Sequence, residues 1–312
     1  MTWLLKLVIA SSLLLACAAL GGVFVPALAI FTHFICYLLL LSLFALLLSF
    51  TPTFSGLSWR PSIWRKLILL TLILQAIAPL SMLLPADKVD LESPQHISLI
   101  WMNLHYEQQA VNELDDIVAK TPCDVVAIAE AGAAQLRGKF QQYPHSYEVD
   151  EAALVVFSKY PLLNAKKITN KNDRSFLQVD IAVARRRVRL VTAHLVWPIY
   201  SAHLTTLENA TEVASSFENV IMAGDFNSTP WAAPFRQFVN TAKLQHSRQS
   251  YGLQNSWYAD KSKIIGLPID HILYGGNINL TDFEVIETLN SDHNALRGEY
   301  DLGGKFLRKA RD

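Results

Sequence analysis

The first 84 residues contain no aspartate or glutamate and only four basic side chains, Lys6, Arg60, Arg65 and Lys66. Three apolar runs fill the stretch: roughly Trp3 to Phe24, Ala27 to Phe50 and Ile63 to Leu84. A helix needs about 20 apolar residues to cross a hydrocarbon core, so each run is expected to be a transmembrane helix. Gly21-Gly22 and Pro26 mark a tight turn after the first run, and Thr51 to Gly56 opens the loop after the second. Lys6 begins the first span and Arg60, Arg65 and Lys66 flank the second loop, while the first loop is uncharged. The positive-inside rule therefore places the amino terminus and second loop in the cytoplasm. With three spans, the rest of the chain is expected on the outer face of a bacterial inner membrane, in the periplasm.

Two polar details inside this region have competing readings. Leu14-Leu15-Ala16-Cys17 has the form of a lipoprotein processing site, but two further runs would anchor the chain without a lipid. His33, inside the second run, would mark a polar pathway in some membrane proteins; as a single neutral histidine it is read instead as packed and hydrogen-bonded. Cys17 and Cys36 fall in the apolar runs and Cys123 stands alone downstream, so no disulfide is expected within the soluble part.

Beyond residue 84 the balance changes. The whole chain carries 27 Lys+Arg against 27 Asp+Glu, so with four of the basic residues upstream the remainder is mildly acidic. That excludes a protein that binds nucleic acid through a broad positive field. Residues 85 to 95, polar and proline-bounded, read as a linker; 96 to 302 as one soluble domain; 303 to 312 as a basic tail. Within the domain, His96 to Leu104, Asp124 to Ala129, Ala153 to Ser158, Phe176 to Ala184, Arg187 to Ala193, Pro268 to Tyr274 and Ala295 to Tyr300 have the character of strands. Helices are expected at Glu107 to Lys120, about Ser201 to Phe217, and Trp231 to Leu244. Many short strands with few helices between them predict an α+β sandwich rather than a doubly wound parallel sheet.

Val220 to Asn227 reads as a buried strand that stops at Gly224 and presents Asp225 and Asn227. On a strand these two would project to one side, with Phe226 turned into the core. The alternative is an Asp-Phe-Asn turn. Other strands end in the same way: Asn103 closes the first, Glu130 follows Ala129, His194 follows Ala193, Asp270 opens the segment that runs to Tyr274, and Ser291-Asp292-His293 precedes the last strand. Singly, each is as readily a helix cap or a core histidine; six such coincidences in one domain point to a site displayed from a rigid sheet.

The ordered set Asn103, Glu130, Thr192-Ala193-His194-Leu195, Gly224-Asp225-Phe226-Asn227, Ile269 to Leu273 and Ser291-Asp292-His293 resembles the endonuclease/exonuclease/phosphatase superfamily, over nearly all of residues 96 to 301. Ser158-Lys159-Tyr160-Pro161 fits it too, with lysine where arginine is more common. Ala129 stands where glutamine is frequent and His271 where tyrosine is. The resemblance implies a four-layered α/β sandwich that hydrolyses phosphate esters with Mg2+ or Mn2+. It implies Glu130 as the main metal ligand with Asn103 and Asp292 as further oxygen donors, which suit a hard cation. It further implies His293 as general base, oriented by Asp270, Asp225 as the group that orients water, and Asn227 and His194 as donors to the phosphoryl oxygens.

Two substrate classes remain open: lipid headgroups or other membrane-proximal phosphate esters, which tethering would favour, and nucleic acid. For the second, Arg185-Arg186-Arg187, Arg189, Lys166-Lys167, Lys171 and Arg174 offer backbone contacts, though a solvated hairpin edge explains them as well. From a different class, a non-catalytic sensor or scaffold would keep the fold and lose an essential group; none of the expected groups is missing. No protein partner is evident.

Overall fold

The computed structural model describes residues 2–22, 25, 28–51, 61–85, 95–169, 175–184, 186–260 and 262–303. Most of the expected linker, the basic tail beyond Gly303, and Arg60, Lys88, Lys171, Arg174 and Arg185 lie outside these residues. The chain forms two compact units, Met1–Leu84 with Thr229–Gln237, and Pro85–Ser228 with Phe238–Asp312.

The first unit holds α1 (Thr2–Gly21), α2 (Ala29–His33), α3 (Ile35–Leu48) and α4 (Pro61–Ser81). Ile9, Ala45 and Ile68 form its small core, while Leu14, Leu40, Leu47 and Ile77 are exposed. Among the described residues one helix, Ser62–Ser81, is long and apolar enough to cross a membrane; Lys6–Gly21 and Ile35–Leu48 are apolar but shorter. The second expected span is interrupted, because Phe34 leaves helical geometry between α2 and α3. His33 is buried just before that break: its Nδ1 accepts the Thr229 N–H at 3.2 Å, and its carbonyl accepts the Trp231 Nε1–H at 3.3 Å. It is a packed, hydrogen-bonded histidine.

The second unit is a two-sheet α+β sandwich. The first sheet has the order β13-β14-β1-β2-β4-β3, where β1 is His96–Asn103, β2 Val125–Ala129, β3 His145–Val149, β4 Leu154–Ser158, β13 Asn279–Ile286 and β14 Ala295–Asp301. The second has the order β5-β6-β7-β8-β12-β9, with β5 Leu162–Ile168, β6 Phe176–Val183, β7 Arg186–His194, β8 Val220–Asp225, β9 Gln245–His246 and β12 Asp270–Gly275. A short ribbon pairs β10 (Trp257–Tyr258) with β11 (Gly266–Leu267).

Alternation along the strands assigns each face. Leu99, Trp101, Val125, Ala127 and Val156 of the first sheet meet Val179, Leu190, Ile221, Ala223 and Ile272 of the second in one continuous core. The intervening residues Ile100, Met102, Val126 and Ile128 face the other way, onto Val111, Leu114 and Val118 of α5 (Gln108–Lys120). That helix carries its apolar residues at spacings of three and four, as the sequence predicts. Short α6 (Ala133–Leu136), α7 (Ala202–Ser215) and α8 (Ala233–Thr241) complete the described helices, α8 starting two residues later and ending three earlier than the pattern suggests. Strands β3, β5 and β13 carry half-buried, polar-rich patterns and were not legible as strands.

Each sheet is mixed, with one parallel pair at its centre: β1 with β2, and β7 with β8. The next strands, β14 and β12, run antiparallel to them. The carboxyl ends of β1, β2, β7 and β8 therefore come out at the same edges of their sheets as the amino ends of β14 and β12.

Candidate active site

In the second sheet the site residues are register neighbours. His194 is the partner of Asp225 across the parallel pair, and Asp270 is its partner across the antiparallel pair. Gly224 makes this closeness possible, since a Cβ there would stand 2.4 Å from the Ala193 carbonyl oxygen. Asp225 ends β8 and divides its carboxylate between two tasks. Oδ1 accepts the Asn227 N–H at 2.9 Å, closing a turn; Oδ2 faces the site, 3.3 Å from Asn103 Nδ2 and 3.7 Å from His194 Nε2.

The turn overrides the simple strand expectation. Asn227 is off the strand with φ +47°, so it does not share a strand face with Asp225, and its Nδ2 donates to the Leu195 carbonyl at 2.8 Å. One amide hydrogen remains for another acceptor. Phe226 is fully buried, as expected.

The first sheet supplies its residues from strand ends and loops. Asn103 closes β1, and Glu130 follows β2 with φ +54°. A side-chain-bearing residue held in that region costs about 1–3 kcal/mol. Neighbouring backbone holds it there: the Glu130 N–H donates to Ala153 O at 2.9 Å and its carbonyl accepts the Tyr106 N–H at 2.7 Å. Glu130 Oε1 lies 3.3 Å from Asn103 Nδ2 and 3.4 Å from His194 Nε2. The Asn103 amide thus turns its nitrogen, not its oxygen, toward the carboxylates, while its oxygen accepts the His105 N–H at 3.0 Å. As placed, it is a donor bridging Glu130 and Asp225, where an oxygen ligand was expected.

Ser291, Asp292 and His293 sit in the loop before β14. Ser291 Oγ donates to the Asn103 carbonyl at 2.8 Å and accepts the His293 N–H at 3.0 Å, fixing the loop to the end of β1. His293 Nδ1 is 2.8 Å from Asp270 Oδ2, and its Nε2 is 3.8 Å from Asp225 Oδ2. Asp270 is fully buried; its Oδ1 accepts the Trp101 Nε1–H at 2.9 Å and its own N–H donates to Ser256 Oγ at 2.8 Å. Asp292 is oriented by Trp257, whose Nε1–H donates to Oδ2 at 2.9 Å.

Trp101, Trp257, Ser256 and His105, 3.0 Å from Asp292 through Nδ1, escaped the sequence reading. An isolated tryptophan looks like core, and only the fold shows its N–H pointing at a carboxylate.

Charge is unbalanced here. Glu130, Asp225, Asp270 and Asp292 converge around the imidazoles of His194, His293 and His105, with the buried Arg248 guanidinium behind Asp270. Burial, and then the Asp270 carboxylate, push the Asp225 carboxyl up. Burial works against the His293 imidazolium, but Asp270, and after it Asp225 and Asp292, outweigh that and push the group well above the ordinary histidine range. The His293 shift reports the negative charge gathered around it, while that of Asp225 is first an effect of burial. Asp292 Oδ1 is buried and accepts no hydrogen bond, with His105 close but out of alignment. The carboxylates of Glu130 and Asp292, the second with an orphaned buried oxygen, are donors of the type that fits a hard divalent cation.

Asp225, Asp270 and His293 also bring one ligand atom each within 4.8 Å of one another. Both Asp270 oxygens are already engaged, by Trp101 and His293.

A histidine held by a buried carboxylate, an acid beside its free nitrogen, and amide and imidazole donors at one edge of paired sheets are the components of a hydrolytic centre. The match to the Endonuclease/Exonuclease/phosphatase family model runs over residues 100–293, more than half of the chain and all of the groups just described. The chain belongs to that family, whose members are hydrolases of phosphate esters. It is similar in structure to an endonuclease/exonuclease/phosphatase family protein of Bacteroides thetaiotaomicron, with TM-score 0.58, 14% identity, and coverage of 67% of this chain and 98% of that one. It is similar also to humanised D. rerio TDP2 carrying 14 mutations (TM-score 0.55, 18% identity, 66% and 99% coverage). A third is the mannosyl-6-phosphatase of B. thetaiotaomicron (TM-score 0.56, 13% identity, 66% and 99% coverage). At such identities the likeness establishes the fold. No curated protein sequence matches the chain.

Proposed function

We propose that the chain is a membrane-anchored, divalent-cation-dependent phosphoesterase in which water activated at His293 attacks a phosphate ester. The observation that carries the reading is the His293–Asp270 pair at 2.8 Å, with Nε2 turned toward Asp225 at 3.8 Å. A cation held beside these carboxylates would offset the charge that raises His293 and favour its neutral form. With Nδ1 then donating to Asp270, Nε2 is the nitrogen left for a water proton, and one water can lie within hydrogen-bond reach of both Nε2 and Asp225 Oδ2. Asp270 then stabilises the imidazolium that forms. The water oxygen makes the new bond to phosphorus, the ester P–O bond breaks, and the departing oxygen takes a proton from solvent while His293 gives its own back to solvent. His194 and the remaining Asn227 amide hydrogen donate to the phosphoryl oxygens; such donors contribute about 3 kcal/mol each to a transition state.

Glu130 and Asp292 would hold the cation, with Asn103 joining them after a half-turn of its amide that exchanges nitrogen for oxygen. When bound, Mg2+ or Mn2+ would polarise the phosphoryl group and neutralise developing charge. Membrane attachment is supported by the acid-free apolar amino-terminal region and by the Ser62–Ser81 helix; three spans and an outward-facing catalytic unit remain our reading of its charges.

Measuring Mg2+-dependent hydrolysis of bis(4-nitrophenyl) phosphate by the full chain, with Asp225→Ala as control, tests this. Activity that needs neither the cation nor Asp225 would overturn it.

A further inference from the structure

The expected phosphate-contacting basic cluster divides in the fold: Lys166 and Lys167 on β5 stand, through β6, level with Val191 and Thr192, and Lys171, Arg174 and Arg185 lie outside the described residues. Arg186, Arg187 and Arg189 lie at the start of the nine-residue β7, whose other end is His194. At about 3.3 Å per residue, Arg186 is roughly 26 Å from the site edge. Arg189 is also bound to Asp180 at 2.8 Å and stacks over Phe217. Exposed apolar side chains stand instead on segments that carry or adjoin the site residues: Tyr106, Trp197, Ile199, Tyr200, Ile264 and Leu289.

These are not scattered. Tyr106 is hydrogen-bonded through its N–H to Glu130. The Trp197 ring packs edge-on against Trp257, centroids 6.4 Å apart, and Trp257 holds Asp292. Ile199 and Tyr200 follow in the same loop after His194. Ile264 adjoins Lys263, whose Nζ donates to the Thr288 carbonyl at 2.7 Å and ties that loop to the one carrying Leu289 and Asp292. Single exposed apolar residues are ordinary, but a group of them around a catalytic opening marks an interaction surface.

We propose that this rim seats on a lipid leaflet and that the ester cleaved is the phosphate of a membrane lipid, whose apolar part stays in the leaflet while its phosphate enters the site. The inference rests on the phosphoesterase reading above and names its substrate class. Three features favour lipid over nucleic acid. Ile199, Ile264 and Leu289 are aliphatic and give bases nothing to stack on, whereas aliphatic side chains with Trp and Tyr among them suit a membrane interface. The arginine end of β7 lies at the far edge, and of the two lysines on β5 Lys167 is paired with Glu151. The amino-terminal unit exposes Leu14, Leu40, Leu47 and Ile77, side chains that a bilayer would cover.

The test uses the full chain reconstituted in phosphatidylcholine vesicles containing phosphatidylglycerol and phosphatidic acid, with Mg2+, following both lipids by chromatography of the lipid and aqueous phases. The triple variant Ile199→Ser, Ile264→Ser, Leu289→Ser changes residues 62%, 77% and 78% exposed, so folding is not at stake. We expect lipid hydrolysis to fall at least about tenfold while hydrolysis of bis(4-nitrophenyl) phosphate by the same preparation stays within about twofold. Equal lipid hydrolysis by variant and wild type, or parallel loss on both substrates, would overturn the proposal. So would a wild-type protein that cleaves the soluble diester and single-stranded DNA but leaves the vesicle lipids intact. If instead wild type and Asp225→Ala are alike inactive on every substrate, the phosphoesterase reading itself fails, and this one with it.

Discussion

The two sheets of the catalytic unit contribute to the same site by different means. The second sheet places His194, Asp225 and Asp270 on three adjacent strands as direct register partners. The first places only Asn103 on a strand; Glu130 sits just past one in a left-handed conformation, and Asp292 and His293 sit in a loop pinned by Ser291. Residues fixed by a hydrogen-bonded ladder suit the precise placement of an attacking water. Carboxylates carried on loops can close on a cation. On the function we propose, the sandwich separates proton handling, across β8, β12 and the His293 loop, from cation binding, mainly on the first sheet.

The sharpest way to break that division is at its centre. His293→Ala or Asp225→Ala should lower kcat for a soluble diester at least about a hundredfold at saturating Mg2+, with an unchanged circular-dichroism spectrum. Near-normal turnover in either would remove the proton-handling assignment. Glu130→Gln should instead show as a shifted cation requirement. Half-maximal Mg2+ should rise about tenfold or more, and Mg2+ titration calorimetry should show the same weakening without any turnover; a pure kcat loss would merge the two roles. Gly224→Ala tests the register itself: its Cβ meets backbone at 2.4 Å, and we expect a stability loss of about 2–3 kcal/mol, read as a lowered denaturant midpoint.

Trp101→Phe is a smaller perturbation. It leaves one oxygen of buried Asp270 without its donor, at a cost of about 1–3 kcal/mol, and should loosen the hold on His293. The smallest effect is one of pH. His203 and His271 are buried and both hydrogen-bond Ser228, just beyond Asn227. Burial depresses both imidazoles, His271 well below the ordinary value of 6.5. They stay neutral when folded but protonate when unfolded. Stability should therefore be fully present above pH 6.5 and decline as pH falls below it, and a His203→Gln variant should decline less steeply in a melting series over that range. An identical pH slope would show that His203 does not contribute.

Much of this was legible along the chain. The alternating strands and the amphipathic helix are period signals, and the polar residues at strand ends stand out because a buried apolar run gives way abruptly to Asn, Glu, His or Asp. Strands β3, β5 and β13 were not legible, since half-exposed edge and hairpin strands tolerate polar residues on both faces. In the Asp225–Asn227 turn the turn reading prevails and Asn227 leaves the strand, while Asp225 closes the turn with one carboxylate oxygen and faces the site with the other.

The sequence by itself determined the class of the catalytic unit, the order of its site groups and the apolar character of the amino-terminal region, because these follow from residue type and short-range periodicity. Only the tertiary structure decided that the second apolar run breaks at Phe34, that Asn103 offers its nitrogen to Glu130, that Trp101 and Trp257 hold the acidic groups, and that the arginines lie at the edge away from them. Each of these depends on which strands become neighbours and in what register. That is settled by burying a shared core between residues far apart in the chain, where no local pattern reaches.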